Sequence, residues 1–152
     1  MAINAEDAVM PIDIIESLEI LMFEAIGMTA IALSMASTGE LTLPQWRALV
    51  VISRVDALRV GDVAAAIGMS LPSTSRMVQR LERRGLVSAE RDETDRRATL
   101  VRMTDHGRAL RERVVACRRE LMEAALNAHA PRLPRELTYG LATIALAFER
   151  YE

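Results

Sequence analysis

The stretch from Arg59 to Gly107 constrains the fold more than any other part of the chain. Val63, Ala64 and Ile67 fall at helical spacing, and Gly68 follows where a left-handed residue can end a helix. After Met69, Ser70 is placed to cap a second helix, with Pro72 in its first turn where a missing N–H costs little. That helix is expected over about Leu71 to Arg84, with Thr74, Met77, Val78 and Leu81 turned inward. Short helix, glycine turn and capped helix form a helix-turn-helix pattern.

The outward face of the second helix carries Ser73, Arg76, Arg80 and Arg83, with Ser70, Ser75 and Gln79 beside it. Hydroxyl, amide and guanidinium groups without an acid can donate to phosphates and to base edges in a major groove. A solvated arginine face is the alternative for an isolated helix, and the Gly–Met–Ser turn before it favours recognition.

Gly85 is expected to end this helix, with a strand starting at Leu86 and Val87 and a return strand over Ala98 to Met103. Between them, Glu90 to Arg97 (ERDETDRR) has no apolar residue to bury and should project from the core. Arg91, Arg96 and Arg97 on such a hairpin can reach a minor groove or a phosphate row. Asp95 is read as the carboxylate that orients a neighbouring arginine. Thr104 and Asp105 then cap a new helix.

The block DETDRRATLVRMTDHG, from Asp92 to Gly107, resembles the wing signature of the MarR (multiple antibiotic resistance regulator) family of winged helix-turn-helix regulators. The resemblance is carried by Asp92, Asp95, Arg96, Arg97, Leu100, Val101, Met103, Thr104 and Gly107, and by the helix Ser70 to Val87. Val101 and Met103 stand where leucine is usual, and Glu93 where many members have proline. The resemblance implies a mainly α fold with a small β-wing. It also implies N- and C-terminal helices intertwined in a homodimer, and a pocket for an aromatic or lipophilic effector.

The flanking segments suit that plan. A first helix is expected from about Ile12, opened by Pro11, to Ala36, with Thr38 and Gly39 ending it. It is apolar on most sides, as for a helix buried between subunits. Ile20 to Ala36 looks membrane-like, but it is short for a span and holds Glu24, so no membrane partner is expected. A second helix runs from Leu43 to Ser53, with Thr42 as cap and Trp46 facing the core. A long helix, Asp105 to His129, carries Leu110, Val114, Cys117 and Leu121 on its apolar line, with arginines including Arg111 and Arg118 decorating the rest. Ala130 to Pro134 breaks the chain before a last helix, about Arg135 to Tyr151, with Phe148 on its apolar side. The 152 residues therefore read as one unit, with a winged helix-turn-helix over 43–104 and dimerisation helices over 12–37 and 105–152.

The net charge of −2 argues against nucleic acid, but its distribution argues for it. Residues 1–43 hold seven acids and no arginine, whereas residues 76–102 hold eight arginines and five acids. A single cysteine, Cys117, and an acidic N-terminus without a secretory pattern fit a reducing, cytoplasmic setting.

The reading is a sequence-specific regulator of double-stranded DNA, a dimeric repressor on a palindrome-like operator, released by a small molecule. Met22 and Trp46 are candidate lining for the effector site, although a lone tryptophan here can equally be core. One alternative is a redox-responsive regulator acting through Cys117; another is an interaction protein that keeps the fold without binding DNA. An enzyme is not expected. His106 and Cys117 stand about 16 Å apart along one helix, and neither a metal-ligand cluster, a cofactor motif nor a phosphate-cradling glycine loop is visible.

Overall fold

The computed structural model describes residues 13–36, 41–95, 97–129 and 134–149. In chain order it contains α1 (Ile14–Ala36), α2 (Leu43–Ile52), β1 (Leu58–Arg59), α3 (Val60–Ile67) and α4 (Leu71–Arg83). β2 (Val87–Arg91), β3 (Thr99–Met103), α5 (Asp105–His129) and α6 (Arg135–Glu149) complete it. The helices match the expected order. Pro11, Ile12, Thr38, Gly39, Ala130 to Leu133 and Tyr151 lie outside the described residues, as does the side chain of Phe148.

Local chemistry sets the boundaries. Thr42 caps α2 through a capping box: its hydroxyl accepts from the Gln45 amide, and Gln45 Oε1 accepts from the Thr42 amide at 3.0 Å. α2 stops at Ile52, one residue before the expected end, where the Ser53 hydroxyl donates to Val50 O at 2.7 Å. Gly68 ends α3 at φ 69°, and Gly85 takes the same left-handed backbone after α4. Ser70 occupies the N-cap position of α4, but its hydroxyl does not cap. It donates instead to Ser73 Oγ at 3.0 Å.

The sheet is antiparallel with strand order β1–β3–β2. β2 starts at Val87 and β3 at Thr99, each one residue later than expected. The two pair from Val87 with Met103 out to Arg91 with Thr99. β1 was not expected: two residues, Leu58 opposite Val101 and Arg59 opposite Leu100, form a third strand. Two residues are too few to show a period, which is why the sequence hides it.

The core joins α2, α3, α4, the sheet and the start of α5. Leu49, Ile52, Val63, Met77, Leu81, Leu86, Val101 and Val114 are fully buried or nearly so. α1 packs chiefly on α5 but buries only Thr29, Ala32 and Leu33. Ile14, Ile15, Leu21, Met22, Phe23 and Met35 remain exposed on it, as do Leu137, Tyr139, Leu141 and Leu146 on α6. α1 is long and apolar enough to cross a membrane by length and composition.

The tightest junction lies where α5 begins. Thr104 Oγ1 donates to Gly85 O at 2.6 Å, and the Thr104 amide donates to Leu86 O at 3.2 Å. The Gly107 amide in turn donates to Thr104 Oγ1 at 3.0 Å. A Cβ at Gly107 would collide with the Leu86 carbonyl. Gly107→Ala is therefore expected to destabilise the fold by about 1–3 kcal/mol, the usual range for overpacking a tight site. Urea unfolding measures this, and an unchanged midpoint would show that the turn and helix can part without cost.

Candidate nucleic-acid interface and apolar pocket

α4 presents two chemically distinct faces because its apolar residues recur at helical spacing. Thr74, Met77, Val78 and Leu81 are buried. Ser70, Arg76, Gln79, Arg80 and Arg83 are exposed, while Ser73 and Ser75 are half-buried beside them. Thr74 sits on the inward face because its hydroxyl can donate to Ser70 O at 3.1 Å. The acid of this helix, Glu82, turns toward the wing and accepts from the Ala89 amide at 3.0 Å. Among the described residues, no ion pair holds the guanidinium groups of Arg76, Arg80 or Arg97. The outward face thus carries donors without a competing carboxylate.

The wing is braced at its neck. Asp92 is buried, and its Oδ2 accepts from Arg59 Nη2 at 2.7 Å and Nε at 3.1 Å, a two-pronged guanidinium grip. Its Oδ1 accepts from the Thr94 hydroxyl at 2.6 Å, the Thr94 amide at 2.9 Å and the Asp95 amide at 3.4 Å. Asp95, expected to orient a neighbouring arginine, meets Arg97 at its backbone. Asp95 Oδ1 accepts from the backbone amide of Arg97 at 3.0 Å, and the carboxylate that grips an arginine is Asp92. The tip has no apolar residue to bury, as expected, and the residue it does bury is this charged one. Glu90 pairs with Arg102 at 2.9 Å, so this acid too is engaged. Arg91 and Arg97 are exposed on the hairpin, and Arg96 lies outside the described residues. A cleft of about 290 Å³ separates the wing root from the start of α4, with Arg59, Asp62, Leu71, Ser75, Asp95 and Arg97 on its walls.

A larger pocket of about 570 Å³ opens between α1, α2 and α5. Ile26, Trp46, Val50, Ile67, Met69 and Val115 supply its apolar wall, and Arg111 and Arg118 its cationic side. Arg111 Nε is buried and has no hydrogen-bond partner. Arg118 Nη1 lies 3.5 Å from Thr29 Oγ1. Trp46 lines this pocket while being mostly buried, so its core and pocket readings are both satisfied. Met22 is not part of the lining. It stands more than half exposed on α1, one turn beyond Ile26. The sequence reading treated Arg111 and Arg118 as surface decoration. Their spacing around Val115, at i, i+4 and i+7, was the signal that they share a face. Cys117 is half-buried, its Sγ 3.8 Å from Met35 Sδ on α1.

The Thr94 hydroxyl and amide, opposed by burial and helped by Arg59 and the Asp95 amide, hold the Asp92 carboxyl far below the ordinary carboxylate range. Its charged form is thus favoured in the folded protein. The stability this contributes is complete above the unfolded carboxylate pKa of about 3.9 and fades as pH falls below it. Asp92→Asn should be less stable than the native chain at pH 7, and the gap should narrow at pH 3. Urea unfolding at both values checks this, and a constant gap would remove ionisation from the account.

Comparison with known proteins agrees with this geometry. Residues 40–98 match the model of the MarR family. The chain is 26% identical over 110 residues to the uncharacterised HTH-type transcriptional regulator YfiV of Bacillus subtilis, covering 72% of this chain and 69% of that one. The crystal structure of RV1404 from Mycobacterium tuberculosis superposes with a TM-score of 0.79 at 25% identity, covering 93% of this chain and 97% of that one. Wild-type apo MarR from E. coli shares the fold at 18% identity with a TM-score of 0.73, over 92% of this chain and 98% of that one. A helix-turn-helix, a braced three-stranded wing and a family match over residues 40–98 have one common reading: this part of the chain is similar to the MarR family of winged-helix transcriptional regulators.

Proposed function

We propose that the protein is a cytoplasmic, sequence-specific regulator that binds double-stranded DNA as a homodimer and acts as a repressor released by a small aromatic or lipophilic molecule. The observation that carries the DNA reading is the pairing of an acid-free donor face on α4 with a wing braced by an ion pair whose carboxylate is buried. Arg76, Gln79 and Arg80, with Ser70, Ser73 and Ser75 near the helix start, would meet base edges and phosphates in the major groove. Arg91, Arg96 and Arg97 would follow the neighbouring minor groove.

The homodimer is supported by the apolar faces of α1 and α6, which one chain leaves uncovered. A second copy related by a two-fold axis would cover both faces and set two recognition helices about 34 Å apart, one DNA turn. The pocket suits an aromatic ring against Trp46, and the unpartnered Arg111 Nε adds a seat for an anionic group.

Selection of duplexes from a random pool, followed by affinity measurements at several salt concentrations, tests the DNA reading. Arg76→Ala should change the preference among sequences, at about 1–3 kcal/mol for one lost base contact. Arg97→Ala should weaken all sequences alike and lower the salt slope by about one. A uniform loss for Arg76→Ala would demote it to a phosphate contact, and an unchanged slope for Arg97→Ala would remove the wing. Trp46 is the chain's single tryptophan. Its fluorescence should therefore respond to an aromatic carboxylate seated in the pocket, and Arg111→Met should weaken that response. Saturable quenching that Arg111→Met leaves unchanged would place the anion elsewhere.

A further inference from the structure

We infer that Leu71 reads a thymine: its side chain is the apolar contact of α4 with a C5 methyl group in the major groove. The inference rests on the DNA-binding reading above and adds to it a contact of different chemistry. Leucine belongs to the residue types most often buried, yet Leu71 is 54% exposed. The other large apolar side chains of its helix, Met77, Val78 and Leu81, are all in the core. Leu71 is therefore no part of the stripe that anchors α4.

Its position tells what it faces. Leu71 is the first residue of α4, and the N-terminal residues of a recognition helix are those that reach base edges. It lines the cleft between α4 and the wing root together with Ser75, Arg97 and Thr99. That places it on the wing side of the domain, whereas the uncovered apolar surface lies on α1 and α6. Ser70 precedes it in the chain and Ser75 stands one turn on in the same cleft, so hydroxyl groups flank it. In the major groove the one apolar feature a base pair offers is the thymine methyl, and it lies next to the O4 acceptor. Leucine beside serine hydroxyl donors matches that pairing of a methyl with an acceptor.

The test uses the full chain and a duplex it has selected from a random pool. Each thymine in turn is replaced by deoxyuridine, which removes the methyl and keeps every hydrogen-bonding group. Binding is followed by fluorescence anisotropy. At one thymine per half-site, the replacement should weaken the native protein about fourfold, the factor for losing one methyl-sized apolar contact. Leu71→Ala should bind that duplex less well than the native chain and be indifferent to the replacement. Leu71→Met, which keeps an apolar side chain, should retain the penalty and so shows that the loss in Leu71→Ala is not misfolding. The inference is overturned if no replacement weakens the native protein, or if the penalty persists in Leu71→Ala. A pool that yields no enriched sequence overturns the DNA-binding reading, and this contact with it.

Discussion

The close approach of Gly107 to the Leu86 carbonyl is the constraint on which the other contacts of the domain depend. Thr104 occupies the centre of this junction. Its amide and hydroxyl satisfy the carbonyls of Leu86 and Gly85, and its oxygen accepts from the Gly107 amide. One residue thus closes the exit of α4, fixes the end of β3 and caps α5. Without a hydrogen at the Gly107 Cα position the helix could not come near enough for these bonds to form. The recognition helix, the wing and the first turns of α5 are consequently one mechanical body, tied by hydrogen bonds at its hinge and by Leu86, Leu110 and Val114 in its core.

The pocket lies beside that body. Arg111 is one turn past Gly107, about 6 Å along the helix axis at 1.5 Å per residue. Arg118 follows two turns later and reaches toward Thr29 on α1. A molecule between α1, α2 and α5 would therefore touch both the winged body and the helix that a second copy would cover. On the proposed function it changes DNA affinity only if it binds one relative placement of these two parts better than another. Because the winged body is tied at Thr104 and packed around Leu86, such a change would pass to α4 as a rotation of the whole unit, not as a distortion within it.

Much of the site could be read along the chain because its determinants are local. Gly68 and Gly85 mark the ends of helices, and Met77, Val78 and Leu81 separate from Arg76 and Arg80 by a period that six residues already reveal. What escaped was non-local. Asp92 looked like one more exposed acid in a charged tip, because the arginine that grips it stands 33 residues earlier in the chain. Arg59 arrives there through β1, a strand of two residues that leaves no pattern. Asp95 adjoins Arg96 and Arg97, and its Oδ1 accepts from the Arg97 amide. Met22 and Arg111 differ from their local patterns in opposite directions. α1 is apolar almost all round, so nothing in it marks the few positions that α2 and α5 cover. Arg111, surrounded by other arginines on a charged helix, gives no local sign that its Nε is buried.

The charge layout bears on how such a protein would choose a site. The chain is net acidic, and the described part of α1 carries Glu16, Glu19 and Glu24 with no basic residue. At physiological salt the field of a charge fades over about 8 Å, so the arginines of α4 and the wing act on a duplex only at close range. The acidic α1 side of the protein would repel DNA. Orientation would then be selected before contact, and the sequence-independent part of the affinity would be small for a protein with this many arginines. A weak non-specific background makes each base contact count for more, since the ratio of specific to non-specific binding decides occupancy among competing sites. The wing brace contributes to the same end: Asp92 neutralises the half-exposed Arg59 and Glu90 neutralises Arg102, which leaves Arg91 and Arg97 as the exposed hairpin cations outside these pairs among the described residues. On the proposed function, discrimination would rest on geometry more than on total charge, and the buried carboxylate at the neck of the hairpin would make that geometry definite.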